Sequence, residues 1–212
     1  MDEKDIDLQP VARLYTKSLT EFGASPMGVG WRDTASQDLR FAKLSLQVLE
    51  SAADGPVTVN DLGCGDGAML KFLRRAGVDV ARYTGYDVSP EMLAAAREQA
   101  GGEGTEYLLG SRLLHPADYS FASGIFNVRL EEDGDRWAEY IADTLRDLSA
   151  RSTKGFAFNM LSTYVDFREP HLYYGDPLHY FDFCKRNFSR FVTLLHDYPL
   201  YEWTVVVRQE KR

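Results

Sequence analysis

Val57-Thr58-Val59-Asn60-Asp61-Leu62-Gly63-Cys64-Gly65-Asp66-Gly67 is the stretch that decides how the rest of the chain is read. Its β-branched first half reads as a buried strand. Glycine then recurs at 63, 65 and 67, directly before a helical apolar pattern through Met69, Leu70, Phe72 and Leu73. Glycine lets a backbone turn tightly and meet a ligand without a Cβ in the way. The free N–H groups of the following helix face the same space. Strand, glycine loop and helix make the first unit of an α/β fold, whose ligands sit at the carboxyl ends of parallel strands.

Downstream the alternation continues. Ala81 to Val88 reads as a second strand. Ser89-Pro90-Glu91 starts a helix with a capping serine, a proline at its first position and an acid in its first turn. Gly101-Gly102 stops it. Further strands fit near Glu106–Leu109, Tyr119–Phe126, Gly155–Leu161, Arg190–Leu195 and Glu202–Arg208, with helices near Arg136–Ser149 and Tyr180–Phe188. Little helical sequence separates strands three and four. The pattern implies an α/β fold with a doubly wound, seven-stranded, mostly parallel sheet. Tyr198-Pro199-Leu200 is too short for a crossover, so the last strand is expected to be antiparallel. Upstream, residues from about Ile6 to Ala53 read as helical, interrupted between Gly23 and Gly30.

The chain has 212 residues, 44% of them apolar, and a net charge of −8. That is enough for one domain with a sizeable core. The acidic balance argues against a general nucleic-acid binder. Two distant cysteines, Cys64 and Cys184, do not suggest a disulfide framework. His, Cys, Asp and Glu do not gather at metal-ligand spacing, so no metal is expected. Met1-Asp2-Glu3-Lys4-Asp5 lacks the apolar run of a signal peptide, and no stretch approaches the roughly 20 apolar residues of a membrane span. A cytoplasmic location without membrane contact is the simplest expectation.

Asp87 closes the second strand, where an acid accepts hydrogen bonds from ribose hydroxyls. A dinucleotide loop reads G-x-G-x-x-G and brings a pyrophosphate to the helix N-terminus. Here the spacing is G-x-G-x-G, with Asp61 before it and Asp66 within it. Two carboxylates repel a pyrophosphate and suit a ligand bearing an amino group and a sulfonium.

The run Asp61 to Gly67 resembles the first motif of the class I S-adenosylmethionine-dependent methyltransferases. Tyr83-Thr84-Gly85-Tyr86-Asp87-Val88-Ser89-Pro90-Glu91-Met92-Leu93 is similar to their second. The resemblance covers about Val57 to Arg208. It implies one Rossmann-like methyltransferase domain over residues 1–212, with an N-terminal helical lid over 1–55 and the core over 56–212. It implies S-adenosylmethionine as cofactor. Asp61 and the loop glycines Gly63, Gly65 and Gly67 would hold the methionine part and Asp87 the ribose, with Met92 near the adenine, and Cys64, Asp66 and Val88 count among the cofactor contacts. Many members carry an acid after the third strand. This chain has Gly110-Ser111-Arg112 instead, so Ser111 or a backbone carbonyl takes that place.

The acceptor side is read from three clusters. In the N-terminal break and the helix after it, Trp31 is placed over the cofactor and Arg40 on its carboxylate, with Ser36-Gln37 between them. After the fourth strand come Ser123, beside the cofactor, then Phe126 against the acceptor and Asn127 as an orienting group. After the fifth come Tyr164, Tyr173 and Tyr174 as substrate contacts, with His171 and His179 as candidate bases. Cys64 reads as a small space-filler and not a nucleophile, and His196-Asp197 as a hairpin-end device. The expected reaction is in-line methyl transfer to O or N of a small molecule, driven by alignment and desolvation. The alternatives are a protein or peptide acceptor, or a non-catalytic cofactor-binding subunit. The oligomeric state is left open.

Overall fold

The computed structural model describes residues 6–51 and 54–209. The acidic start at residues 1–5 and the end of the N-terminal helical reading at Ala53 lie outside them. Seven strands form one sheet: β1 Val57–Leu62, β2 Val80–Asp87, β3 Thr105–Leu109, β4 Ala117–Ala122, β5 Ser152–Leu161, β6 Val192–Leu195 and β7 Glu202–Arg208. Their order is β3-β2-β1-β4-β5-β7-β6. Pairings among β1 to β5 are parallel, and β7 runs antiparallel between β5 and β6. The expected antiparallel last strand is therefore present, inserted one place inward from the edge.

Alternation along the strands loads both faces. Phe156, Phe158 and Met160 of β5, with Trp203, Val205 and Val207 of β7, enter one core. Ala157 and Val206 enter the other. Such double-sided burial requires helices on both faces. The first core is covered by α6 Gly134–Arg151 through Trp137, Ile141, Leu145 and Leu148, and by α7 Pro177–Asn187 through Tyr180 and Cys184. The second is covered by α4 Ala68–Arg75 and α5 Pro90–Ala100, together with two earlier helices, α2 Thr34–Leu44 and α3 Leu46–Glu50. Ser89 caps α5 by accepting from the Met92 N–H.

Two boundaries differ from the sequence reading. β4 stops at Ala122, because Gly124 adopts φ +73° and turns the chain. Phe41, Leu44 and Val48 of α2 and α3 are at most 5% exposed within the sheet's core. The N-terminal cover therefore does not reach residue 55. It consists of α1 Gln9–Phe22 and the segment that follows, with its 3-10 turn at Met27–Val29. No helix intervenes between β3 and β4. The connection is held by the Tyr86 hydroxyl, which accepts from the Leu114 and His115 N–H groups.

Candidate functional site

β1 is flanked by β2 on one side and β4 on the other. At this switch point the loops at the carboxyl ends diverge and leave a crevice. The loop after β1 is fixed by its backbone: Gly63 and Cys64 N–H groups both donate to the Tyr86 carbonyl, at 2.7 and 2.9 Å. Gly63 has φ +74°, and a Cβ there would come within 2.1 Å of Ile125 Cγ2. Only glycine satisfies both the backbone and the space. Cys64 is buried, its sulfur against the Gly85 backbone, and burial with Asp87 and Asp61 nearby pushes its thiol up. It fills space as a neutral group.

Three carboxylates enclose the crevice. Asp61 accepts from the Tyr83 hydroxyl, yet burial, with a smaller push from Asp87, raises it to about 7. Asp66 is 3% exposed, and its Oδ1 has no partner. Burial raises its pKa, opposed by Lys71, whose Nζ lies 4.0 Å away. Asp87 accepts from the Gly65 N–H at 3.0 Å and the Ser89 N–H at 2.9 Å, and burial raises it too. Asp61 and Asp87 are buried with no cation paired to them, which is costly. The chamber is thus built for a ligand that brings positive charge and hydroxyl donors, which the sulfonium, amino group and ribose of S-adenosylmethionine fit.

The chamber opens to solvent on one side. Asp61, Gly63, Cys64, Gly65, Asp66, Asp87, Val88, Met92, Ser111, Ser123 and Trp31 all line it. Gly67 sits just outside as the N-cap of α4, in the left-handed conformation. Ser123 Oγ is buried without a partner. Arg40 does not line the chamber: its guanidinium makes a two-pronged pair with Glu202 at 2.8 and 2.7 Å, where a cofactor carboxylate was expected.

The expected acceptor residues do not gather here. Phe126 is fully buried among Tyr140 and Phe158. Asn127 Oδ1 accepts from the Leu161 N–H and its carbonyl from the Tyr173 N–H, so it ties two loops together. Tyr173 shares a hydroxyl bond with Tyr180, Tyr174 accepts from the Glu169 N–H, and Tyr164 is 64% exposed beside His196. His171 and His179 are both exposed and line no part of the chamber, so neither is placed as its base. The segment after β5 is held by bridges Val128–Leu172 and Ser162–Gly175, and none of its residues lines the chamber. Asp197 pairs with Lys43 at 2.9 Å and not with His196.

Other residues take that wall. Leu8, Val11 and Tyr15 come from α1 and the residue before it, Gln37 and Phe41 from α2, Ile125 from the turn after β4, and Tyr140 from α6. The signal for α1 was readable, since residues 8, 11 and 15 fall on one helical face. Burial and Asp87 push the Tyr15 hydroxyl up to about 12. Gln37 is 5% exposed and faces the chamber, and its side-chain amide has no hydrogen-bond partner among the described residues. Among the described residues, no lysine, arginine or histidine lines the chamber, no cluster of potential metal ligands occurs, and no helix is long and apolar enough to cross a membrane.

Comparisons with known proteins agree with this geometry. A family model for a methyltransferase domain matches residues 59–147. Rv1506c of Mycobacterium tuberculosis, which carries the name of a methyltransferase, is 49% identical over 162 residues, covering 75% of this chain and 96% of its own. Magnesium protoporphyrin IX methyltransferase of Synechocystis PCC 6803, solved with bound SAH, superposes with a TM-score of 0.67 at 15% identity over 95% of this chain and 100% of that one. The DhpI–SAM–HEP complex gives 0.64 at 15% identity over 96% and 99%.

Proposed function

The chain belongs to the class I S-adenosylmethionine-dependent methyltransferases, and from that activity we propose that its acceptor is a small molecule methylated on oxygen or nitrogen. One observation carries the proposal. Leu8, Val11 and Tyr15, from α1 and the residue before it, line the chamber beside Val29, Trp31 and Phe41, so that a concave, mostly apolar and aromatic pocket with one open side stands over the glycine loop. Pockets of this kind take small ligands, with a few polar groups to orient them. A folded protein surface or a nucleic-acid strand needs an open groove and, for the latter, cations.

The charge around the chamber narrows the acceptor further. Asp61, Asp66 and Asp87 line it and no cationic side chain does. Once the cofactor's positive groups have met these carboxylates, an anionic acceptor finds no cationic side chain in the chamber to pair with. The acceptor is therefore uncharged or cationic.

Bound S-adenosylmethionine supplies an electrophilic methyl group on sulfur. The protein does the rest by placement. Asp87 would accept from the ribose hydroxyls, Asp61 and Asp66 would meet the amino group, and Met92 would lie near the adenine, with Val88 beside it in the chamber lining. Tyr15, Trp31 and Phe41 exclude water, and Gln37 offers one amide to orient a polar group. Alignment and desolvation are sufficient for an in-line displacement.

The test uses three phenols of matched size: neutral 4-ethylphenol, cationic tyramine and anionic 4-hydroxyphenylacetate. S-adenosylhomocysteine release is followed after S-adenosylmethionine is added. Turnover with the neutral or cationic phenol, and not with the carboxylate, is expected. Turnover confined to peptide or protein acceptors would remove the small-molecule reading.

A further inference from the structure

Behind the chamber wall lies a buried polar circuit that joins four distant parts of the chain. Arg40 Nε and Nη2 donate to the two oxygens of Glu202, at 2.8 and 2.7 Å. Asn159 Nδ2 donates to Glu202 Oε2 at 3.0 Å. Asn159 Oδ1 accepts from the Gly124 N–H at 2.7 Å. The circuit closes through an aromatic ring: the Arg40 guanidinium lies 3.9 Å from the Trp31 ring centroid, and the same indole rests on Gly124. A Cβ on Gly124 would come within 2.6 Å of the Trp31 six-membered ring. Arg40, Asn159 and Glu202 are 7%, 0% and 2% exposed, while Trp31 and Gly124 line the chamber.

Position gives the circuit its meaning. Asp87, at the end of β2, lies on one side of the β1 loop, and Gly124, beyond β4, lies on the other. A ligand whose ribose is on Asp87 and which crosses Gly63 has its opposite, reacting end toward Gly124 and Trp31. A buried ion pair seldom adds net stability over apolar side chains of similar volume, and its best-attested use is to fix one arrangement. Arg40 also has the planar face and fork that such a task needs, bonding Glu202 at its edge and stacking on Trp31 with its face.

We propose that Arg40, Glu202 and Asn159 are positioning residues that clamp the Trp31 indole against Gly124 and so set the wall on which the acceptor is selected. This rests on the methyl-transfer reading of the chamber, but the clamp itself is measurable without it.

Trp137 and Trp203 are 1% and 0% exposed, so acrylamide quenching of intrinsic fluorescence reports Trp31, with Trp31→Phe as the blank. In ligand-free protein, Glu202→Gln is expected to raise the Stern–Volmer constant about twofold or more by freeing the indole. Loss of one charge from a buried pair endangers folding, whereas replacing both charges by apolar groups is generally tolerated. The double variant Arg40→Met/Glu202→Leu is therefore the second arm, with the same rise expected. Gly124→Ala should raise quenching too, by pushing the ring outward from its other side. A role in stability alone would lower the melting temperature and leave quenching at the wild-type value. That result in the folded double variant overturns the clamp. Calorimetry with S-adenosylhomocysteine on the wild-type protein keeps the two ideas apart, since absence of binding removes the methyl-transfer reading and leaves the quenching result standing.

Discussion

The two halves of the chamber are built on different principles. The half at the ends of β1 and β2 is local. Residues 61–67 and 83–92 fold into a loop and a helix start whose main contacts are backbone hydrogen bonds, to Tyr86 O, Asp87 and Ser89. The half beyond β4 is assembled from Trp31, Gln37 and Gly124, with Asn159 and Glu202 behind them and α1 beside them. Backbone geometry fixes the part of the ligand common to every turnover. Side chains far apart in sequence shape the part that distinguishes acceptors. Substitutions in the first half should therefore abolish cofactor binding, while those in the second should change mobility and selectivity.

Gly63→Ala should have the largest effect. The left-handed backbone costs about 1–2 kcal/mol for an L residue, and the collision with Ile125 adds about 1–3 kcal/mol of overpacking. Calorimetry should detect no S-adenosylhomocysteine binding, and the melting temperature should fall by several degrees. Gly134→Ala is the control, because nothing lies within 4 Å of its added Cβ, and it should leave both quantities in place. Asp87→Asn comes next. It keeps one acceptor for the loop and loses the charge, and should weaken S-adenosylhomocysteine by about 1.5–3 kcal/mol for each charged hydrogen bond to the ribose. Unchanged affinity in the folded variant would mean that the ribose is held elsewhere. NAD should bind poorly to the wild type, since three carboxylates face the space a pyrophosphate would need.

How far each half was legible follows from the same contrast. The strand–glycine–helix run at residues 57–75 and the Ser89-Pro90 helix start carry their structure in adjacent residues, and eight of the cofactor residues expected from them, Asp61, Gly63, Cys64, Gly65, Asp66, Asp87, Val88 and Met92, line the chamber. Phe126 was misplaced because the apolar run continues past Ala122, while the left-handed Gly124 turns the ring into the core. His171 and His179 were misplaced for a different reason. Aromatic and histidine residues in a loop mark chemistry only if the loop turns toward the site, and this one is held by Asn127 and Gly175 and lines no part of the chamber. Sequence alone does not pair Arg40 with Glu202, 162 residues away, and so leaves its charge to the cofactor.

A smaller effect should appear with pH. Burial raises Asp61 to about 7 from the ordinary 3.8, so the ligand-free fold favours its protonated form. The sign follows from linkage. This contribution to stability is complete below the unfolded pKa and is lost as pH rises toward 7. A cationic ligand beside Asp61 favours the carboxylate, so binding should release protons near neutrality and S-adenosylmethionine affinity should rise from about pH 6 to 8. Titration calorimetry in buffers of different ionisation heat measures that release directly. Proton uptake, or affinity that falls over this range, would contradict the placement of Asp61 at the ligand's positive end.

The smallest expected effect concerns the cover, and it separates two helices that look alike in sequence. Ala12, 6% exposed, is the one buried residue of α1, which is tied to the start of α5 by the Thr16 hydroxyl, at 3.0 Å from both Ser89 Oγ and Glu91 Oε2. α2 instead buries Phe41 and Leu44 in the sheet's core. Segments with few buried apolar contacts open first. Amides of Gln9–Phe22 should therefore exchange quickly in the free protein and slow when S-adenosylhomocysteine gives Leu8, Val11 and Tyr15 a surface to pack on. Amides of α2 should be protected in both states. Thr16→Val removes part-exposed hydrogen bonds worth about 0.5–1.5 kcal/mol each, and should speed exchange in α1 by up to about tenfold while leaving α2 unchanged. Equal protection of α1 with and without ligand would make it a fixed wall. Matching changes in both helices would make the whole N-terminal region one unit, and the division of the chamber into a rigid cofactor half and a movable acceptor half would fail.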